Sequence, residues 1–168
     1  NFRRDRLLAF NNVSGVLSCE SGATLADIAQ VMLPRGWFLP VVPGTRYVTV
    51  GGAIANDVHG KNHHVAGSFG GFVESLTLAR SDCATAVRIS PDHPRFATTV
   101  AGLGLSGLML DTDIRLKRIP GPGIEQEIRL FGGRRSGAGI DGYLELDADS
   151  KPWEYTVGWI DTMDRDLR

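Results

Sequence analysis

Residues Pro43–Gly71 read PGTRYVTVGGAIANDVHGKNHHVAGSFGG, and seven of them are glycine. Gly51 and Gly52 follow the β-branched run Val48–Val50 and precede Ala53–Ala55, small residues that suit the start of a helix. Free backbone N–H groups at a helix N-terminus bind anions, and glycine lets a ligand approach, so the phosphates of a nucleotide cofactor are a candidate ligand. Within these residues the GxGxxG and GxxxxGK[ST] patterns are absent, and tight turns in a packed β-rich domain are an equal alternative from these residues alone.

Three histidines, His59, His63 and His64, lie in the same segment. His59 and His63 have the i, i+4 spacing of a helical zinc site, but Gly60 and the absence of an HExxH pattern argue against one, so no metal site is predicted. A histidine in a glycine-rich loop more often forms hydrogen bonds to backbone, to a cofactor or to a substrate. Lys61 either neutralises an anionic ligand or is an ordinary solvated lysine, and the sequence leaves both interpretations open.

The composition is that of a globular protein, with 42% hydrophobic and 22% charged residues in a chain long enough for its own core. The net charge of −1 gives no electrostatic case for nucleic acid, so we expect no nucleic-acid partner. The two cysteines lack metal-ligand spacing and suit a reducing compartment. We expect a cytoplasmic or membrane-peripheral protein, and the missing initiator methionine at Asn1 leaves a targeting signal open.

Local patterns predict the regular structure that precedes the glycine-rich segment. Thr24 is a good N-cap, with Asp27 completing a capping box, for a helix that runs through Leu33 and ends at Gly36. A strand is predicted on either side of this helix, the second one interrupted by a proline, at Val16–Ser21 and Trp37–Val42.

The part of the chain after the glycine-rich segment starts with a predicted strand at Phe72–Ala79 and helical turns at Pro94–Val100. A second glycine cluster, AGLGLSG, occupies Ala101–Gly107. Hydrophobic and charged residues then alternate, which predicts a half-buried strand whose inner face carries Leu108, Leu110, Thr112, Ile114 and Leu116.

A Pro-Gly-Pro-Gly run at Pro120–Gly123 predicts a domain boundary, with one domain at 1–119 and the start of a second at 120–168. In the second domain the patterns predict two strands, a loop and a short helix. These are the strands Ile124–Phe131 and Tyr155–Asp161, the loop Arg134–Gly139 and the helix Tyr143–Ala148.

The order PGT, TVGGAI, D-x-HGKNHH and GSFG resembles the second FAD-binding stretch of the vanillyl-alcohol-oxidase type flavoproteins, which carry a PCMH-type FAD-binding domain. Within that family the resemblance is strongest to the oxidising subunits of decaprenylphosphoryl-ribose 2'-epimerase, and looser to the aldonolactone and alditol oxidases. ESGATLADIAQVMLPRGWFLPVVPGT, FATTVAGLGLSGLMLDTDIRLKRI and WEYTVGWID also resemble family segments, so the likeness covers most of the chain.

This resemblance implies an α+β fold, namely a PCMH-type FAD-binding domain, incomplete at its N-terminus, followed by the start of an α+β substrate domain. It implies non-covalently bound FAD as the cofactor. The residues that it places along the cofactor are Gly44, Thr45, Thr49, Val50, Gly51, Gly52, Asn56, Asp57, Val58, His59, Gly107, Leu108 and Met109. It places Trp159 at the pocket wall, although a core aromatic on a strand is the favoured alternative for this residue. Lys61 is a candidate substrate-binding residue through its charge alone.

The activity that the resemblance implies is hydride transfer from a sugar or polyol C–OH to flavin N5, with a small-molecule or lipid-linked sugar as substrate. Membrane-surface association is compatible with such a substrate. A general base must accept the hydroxyl proton, and His59 is the only candidate within the motif. Flavin positioning is nevertheless the favoured role for His59, because the family places its base elsewhere. An aldonolactone or alditol oxidase, and a non-catalytic relative that lacks the family's first flavin loop, are the competing hypotheses.

Overall fold

The strands of this chain pair in antiparallel fashion, in a computed structural model that describes residues 4–130, 142, 144, 145 and 153–159. Within these residues the strands are β1 (Leu7–Asn11), β2 (Val16–Glu20), β3 (Trp37–Phe38), β4 (Val73–Ala79), β5 (Val87–Ile89), β6 (Leu108–Arg115) and β7 (Lys117–Arg118). The helices are α1 (Leu25–Met32), α2 (Val50–Ala55), α3 (His63–Ala66) and α4 (Pro94–Thr99). Five strands form one sheet in the order β1-β2-β6-β4-β5, and β3 pairs with β7.

The hydrophobic core joins one face of the five-stranded sheet to α1 and α2. Its fully buried side chains come from all of these elements, for example Leu17, Ile28, Ile54, Leu76 and Ile114. Cys19 lies in the same core, and burial raises the pKa of its thiol to about 12. The thiol is therefore protonated and shielded at neutral pH. No helix in the described part of the chain is both long and apolar enough to cross a bilayer.

The opposite face of the sheet is polar and is organised around one arginine. Arg88 on β5 donates to Ser75 Oγ and Thr77 Oγ1 on β4, both at 3.0 Å, and pairs with Asp111 and Asp113 on β6. One guanidinium thus links three neighbouring strands, and its fork geometry suits several acceptors at once. The sheet consequently has one face in the core and one near water, as the alternating pattern predicts for β6.

The predicted capping box at the start of α1 is confirmed. Thr24 Oγ1 accepts from Asp27 N at 3.1 Å, and Asp27 Oδ2 accepts from Thr24 N at 3.0 Å. The helix ends in a 3-10 turn and then at Gly36, whose φ of 78° is left-handed, the conformation that glycine adopts without strain. The predicted strands at Val16–Ser21 and Phe72–Ala79 and the turns at Pro94–Val100 are also confirmed, within a residue or two at their ends.

The alternation predicted for β6 is wrong in its first three residues. Leu108 is 52% exposed, whereas Met109, predicted to face outward, is only 6% exposed. The cause is a β-bulge, since the pairing with β4 shifts between Leu76 opposite Thr112 and Leu78 opposite Met109. A shift of one residue exchanges the two faces of a strand, so the inner face is correct only from Thr112 onward.

The strand predicted at Trp37–Val42 is wrong beyond Phe38, because the ribbon with β7 includes only Trp37 and Phe38. Leu39 and Val41 are nevertheless buried. Pro40 lacks an N–H group for a ladder, and its carbonyl instead accepts from Asn62 Nδ2 at 2.8 Å. Two short edge strands, β1 and β5, were not predicted, because β1 shows no regular alternation of apolar residues and β5 has only three residues.

The chain divides into two compact units, Asn1–Pro122 and Gly123–Arg168. The strand predicted at Ile124–Phe131 is wrong for the described residues 124–130, which form no strand and leave Ile124, Ile128 and Leu130 exposed. Residues 155–159 also form no strand. The predicted loop Arg134–Gly139, Phe131, residues 160–161 and most of the predicted helix Tyr143–Ala148 lie outside the described residues.

Replacing Thr24 with alanine should lower the free energy of unfolding by about 1 kcal/mol, because the capping box loses the hydroxyl that accepts from Asp27 N. Urea denaturation followed by circular dichroism measures this change. The matched control is Thr85→Ala, because Thr85 is exposed in the β4–β5 connection, and it should unfold at the wild-type midpoint. Equal midpoints for both variants would contradict a stabilising capping box.

Glu20 should make stability depend on acid pH. Hydrogen bonds from Arg6, at 2.9 and 3.1 Å, lower the pKa of Glu20 to about 2 from an ordinary value of 4.5. Because the folded state holds the lower pKa, the stabilisation is complete above pH 4.5 and is lost as the pH falls towards 2. The melting temperatures of wild type and Glu20→Gln should therefore differ at pH 7 and converge near pH 2. The exposed Glu125→Gln should track the wild type throughout.

Candidate functional site

The glycine-rich segment begins with α2, and the first N–H groups of this helix already have protein acceptors. Val50 N donates to Ala23 O and Gly51 N to Ser21 O, both at 2.8 Å, while Gly52 N donates to the Thr49 hydroxyl at 3.1 Å. The prediction that the N–H groups at this helix terminus are free to bind an anion is therefore wrong. The two carbonyl acceptors, Ser21 O and Ala23 O, come from the β2–α1 connection, which the antiparallel bridge between Thr24 and Thr49 brings alongside.

Gly51 serves close packing in this arrangement. A Cβ at this position would lie 3.1 Å from both Ser21 Cβ and Ser21 O, tighter than ordinary contacts between side chains. The segment before the helix is open by contrast, since a Cβ on Gly44 would meet no atom within 4 Å. Thr45 is exposed there, and its hydroxyl accepts from Tyr47 N at 3.3 Å. Backbone at Gly44 and Thr45 is thus accessible to a ligand.

The second glycine cluster folds over the other end of α2. Ala101 N donates to Ile54 O at 3.1 Å, and Leu103 N donates to Ala55 O at 2.8 Å. The last helix carbonyls are thereby satisfied by a segment almost fifty residues further along the chain. The two motifs that the sequence singles out, residues 43–71 and 101–107, therefore meet at the C-terminal end of α2.

The loop 101–107 has an unusual backbone. Ala101 and Leu103 have φ values of 58° and 53°, which non-glycine residues rarely adopt and which therefore indicate a constrained loop. Arg80 Nη1 donates to Ser106 O at 2.7 Å and so fixes the end of the loop, a role that the sequence did not reveal. Gly107 has φ 149°, and a Cβ there would lie 2.7 Å from Ala79 O, so this position requires glycine.

The side chains that follow α2 are exposed at this meeting point. Asn56 caps the helix, with Nδ2 donating to Gly52 O at 2.9 Å, and both Asn56 and His59 are exposed. The ring of His59 meets that of His63 edge to face at 5.8 Å between centroids, and His63 meets His64 at the same distance. No group of three or more metal-ligating side chains occurs within the described part of the chain.

The neighbouring residues divide into buried anchors and exposed groups. Asn62 is 1% exposed and donates to Pro40 O, so its amide anchors the loop to the core. Lys61 beside it is exposed, which leaves its ammonium accessible to an anionic ligand. Val58 is half-buried, and its carbonyl accepts from Phe69 N at 2.9 Å. The inward direction of Asn62 was not predicted, because its anchor lies twenty-two residues away.

The remaining predicted residues are less accessible or lie elsewhere. The side chain of Met109 points into the core, so only its backbone and the half-exposed Leu108 are available to a ligand. Trp159 belongs to the second compact unit, where its indole is 92% exposed. Its predicted alternative role as a core aromatic on a strand is therefore wrong.

The loop 101–107 at the end of α2 carries groups of the kind that a flavin cofactor contacts. Leu103 and Leu105, 69% and 88% exposed, project from the constrained loop, and large apolar side chains in such a position commonly mark a binding surface. The buried hydroxyl of Ser106 has no hydrogen-bond partner within the described residues. Apolar contacts, accessible glycine backbone and a spare hydroxyl are the groups that a flavin and its phosphate arm require.

The chain is similar to part of each of two curated proteins. The chain is similar to decaprenylphosphoryl-beta-D-ribose oxidase of Mycolicibacterium smegmatis, with 40% identity over 165 residues, which are 96% of this chain and 35% of that protein. It is 25% identical over 126 residues to D-lactate dehydrogenase of Anaerostipes hadrus, covering 71% of this chain and 26% of that protein. The chain thus spans about a third or less of these relatives.

Solved structures and a family model agree on the fold. An alkyldihydroxyacetonephosphate synthase superposes with a TM-score of 0.63 at 13% identity, covering 71% of this chain and 22% of that chain, which shows a shared fold. The model of the FAD binding domain matches residues 1–89, more than half of the chain. The predicted α+β fold class and the FAD cofactor are thereby confirmed, and the chain belongs to the family of PCMH-type FAD-binding domains.

Proposed function

We propose that this chain is the FAD-binding part of an oxidoreductase that removes a hydride from a carbon bearing a hydroxyl group in a sugar or polyol. The observation that carries the proposal is the meeting of the two glycine motifs at the C-terminal end of α2. The residues that follow this helix include the exposed Asn56, His59 and Lys61. The names of the relatives support the reaction type, since ribose and lactate both carry hydroxyl groups that an oxidase or dehydrogenase can oxidise.

FAD, when bound, supplies the hydride acceptor, and the protein binds and orients it. Exposed backbone at Gly44 and Thr45 and the loop 101–107 are the parts of this chain that hold it. The accessible imidazole of His59 accepts the hydroxyl proton of the substrate or positions the flavin. The ammonium of Lys61 pairs with an anionic group of the substrate, which a lipid-linked sugar phosphate would supply. Such a substrate also brings the protein to a membrane surface.

Purified protein should acquire the visible absorbance of flavin when it is mixed with FAD and then desalted. His59→Ala should weaken FAD binding about tenfold, the loss expected for one good polar contact. The control is His93→Asn, because His93 Nδ1 caps α4 by accepting from Arg95 N and asparagine can replace that cap. A colourless wild type would overturn FAD binding by this chain, and identical affinities for wild type and His59→Ala would remove His59 from the site.

Gly60→Ala should abolish or strongly weaken FAD binding, because a Cβ at this position would lie 2.6 Å from Val42 O and 2.9 Å from Asn62 Oδ1. The turn between His59 and Lys61 must then shift, at a cost of about 1–3 kcal/mol for such overpacking. Gly71→Ala is the matched control, since a Cβ there meets no atom within 4 Å. Isothermal titration with FAD and thermal unfolding of both variants test this. If Gly60→Ala has the FAD affinity and the melting temperature of the wild type, the close contact at Val42 O is contradicted.

Substrate class is tested on the FAD-loaded protein under anaerobic conditions. A candidate sugar, polyol or hydroxy acid that donates a hydride should bleach the flavin absorbance. Reoxidation on admitting air distinguishes an oxidase from a dehydrogenase that passes electrons to another acceptor. If the protein retains FAD but no hydroxylated compound bleaches its absorbance, the chain is an FAD-binding module without this activity. That result would overturn the catalytic part of the proposal.

A further inference from the structure

The segment that carries His59 and Lys61 is a closed loop, and one carboxylate closes it. Asp57 Oδ1 accepts from Gly70 N at 2.7 Å, and Asp57 Oδ2 accepts from the Ser68 hydroxyl at 2.8 Å. A backbone hydrogen bond from Phe69 N to Val58 O at 2.9 Å lies directly beside these contacts. Both oxygens of Asp57 are therefore bound at the base of loop 57–70.

The backbone at both ends of the loop is adapted to this closure. Asp57 has φ 42°, a left-handed conformation that aspartate tolerates better than most residues, and its N–H donates to Ile54 O at 3.0 Å. The carboxylate is thus directed from the end of α2 towards the opposite end of the loop. Gly70 fits because it lacks a Cβ, which would lie 2.9 Å from Asp57 Oδ1 and collide with Val100.

The interior of the loop has a second anchor, the buried amide of Asn62 on Pro40 O. His59 lies between the Asp57 closure and this anchor, and Lys61 lies immediately before Asn62. Two fixed points on either side restrict the positions that these exposed side chains reach. Hydrogen bonds to an ionised carboxylate are among the stronger ones in proteins, so the closure at Asp57 is the larger of the two restraints.

We propose that Asp57 is a positioning residue, which with Ser68 closes the base of loop 57–70 and thereby holds His59 and Lys61 in place for the cofactor and substrate. Because both carboxylate oxygens of Asp57 are already bound within the loop, this role replaces the direct cofactor contact that the family resemblance implies for Asp57. This inference rests on the proposed function for the roles of His59 and Lys61, whereas the closure of the loop is a property of the chain itself.

Hydrogen exchange of the Phe69 and Gly70 amides in the FAD-free protein tests the closure. Asp57→Ala should speed their exchange about ten- to a hundredfold, and Ser68→Ala about three- to tenfold, since it removes one neutral donor. The double variant should exchange no faster than Asp57→Ala, because both changes break the same contact. Asp92→Ala, at an exposed position, is the matched control and should exchange at the wild-type rate. If the Phe69 and Gly70 amides exchange at the wild-type rate in both Asp57→Ala and Ser68→Ala, the proposed closure is overturned.

FAD affinity then separates positioning from direct contact. If Asp57 acts through the loop, Ser68→Ala weakens FAD binding in proportion to its faster exchange, and the double variant binds as weakly as Asp57→Ala. Asp57→Asn should recover part of the affinity, because its amide oxygen can still accept from Gly70 N. If Asp57→Ala and Asp57→Asn both bind FAD weakly while Ser68→Ala binds it with wild-type affinity, the positioning role of Asp57 is overturned. If the wild-type protein has no affinity for FAD, the proposed function is overturned, and so is the positioning of His59 and Lys61 for a cofactor. The hydrogen-exchange rates still test whether Asp57 closes the loop.

Discussion

The backbone groups at the two ends of α2 determine where the candidate site forms. A six-residue helix is too short to be stable alone, so its terminal N–H and C=O groups need partners from elsewhere in the fold. Ser21 and Ala23 accept from its N-terminus, and Ala101 and Leu103 donate to its C-terminus. Segments separated by about eighty residues thus meet around one short helix, and the exposed polar residues that follow it acquire a fixed position.

Local sequence signals predicted the elements whose causes are local. The capping box of Thr24 and Asp27, and the glycine that ends the following turn, lie within a few residues of the helix that they define. Elements that depend on distant partners were predicted poorly. The bulge between the pairs formed by Leu76 and Leu78 exchanges the faces of β6 at Leu108. Strands β1 and β5 exist because neighbouring strands supply their hydrogen bonds. Sequence spacing records none of these pairings.

The site shows the same division. The motif from Pro43 to Gly71 was sufficient to predict the family and FAD, and both are confirmed. The physical reason first given for Gly51 and Gly52 was wrong, because Ser21 O and the Thr49 hydroxyl occupy their N–H groups. The contacts made by Arg80 and Asn62 become visible only when the chain is folded, since their partners lie more than twenty residues away. The contacts of individual residues with FAD stay predictions.

Arg88 has a consequence for how the sheet ends. Strand β5 is one of the two sheet edges and has only three residues, and its arginine folds back over β4 and β6 to pair with Asp111 and Asp113. Open sheet edges can recruit strands from other molecules, and proteins discourage this with short edge strands that carry charges. The same ion pairs that link three strands therefore leave a short, charged border that offers little template for aggregation.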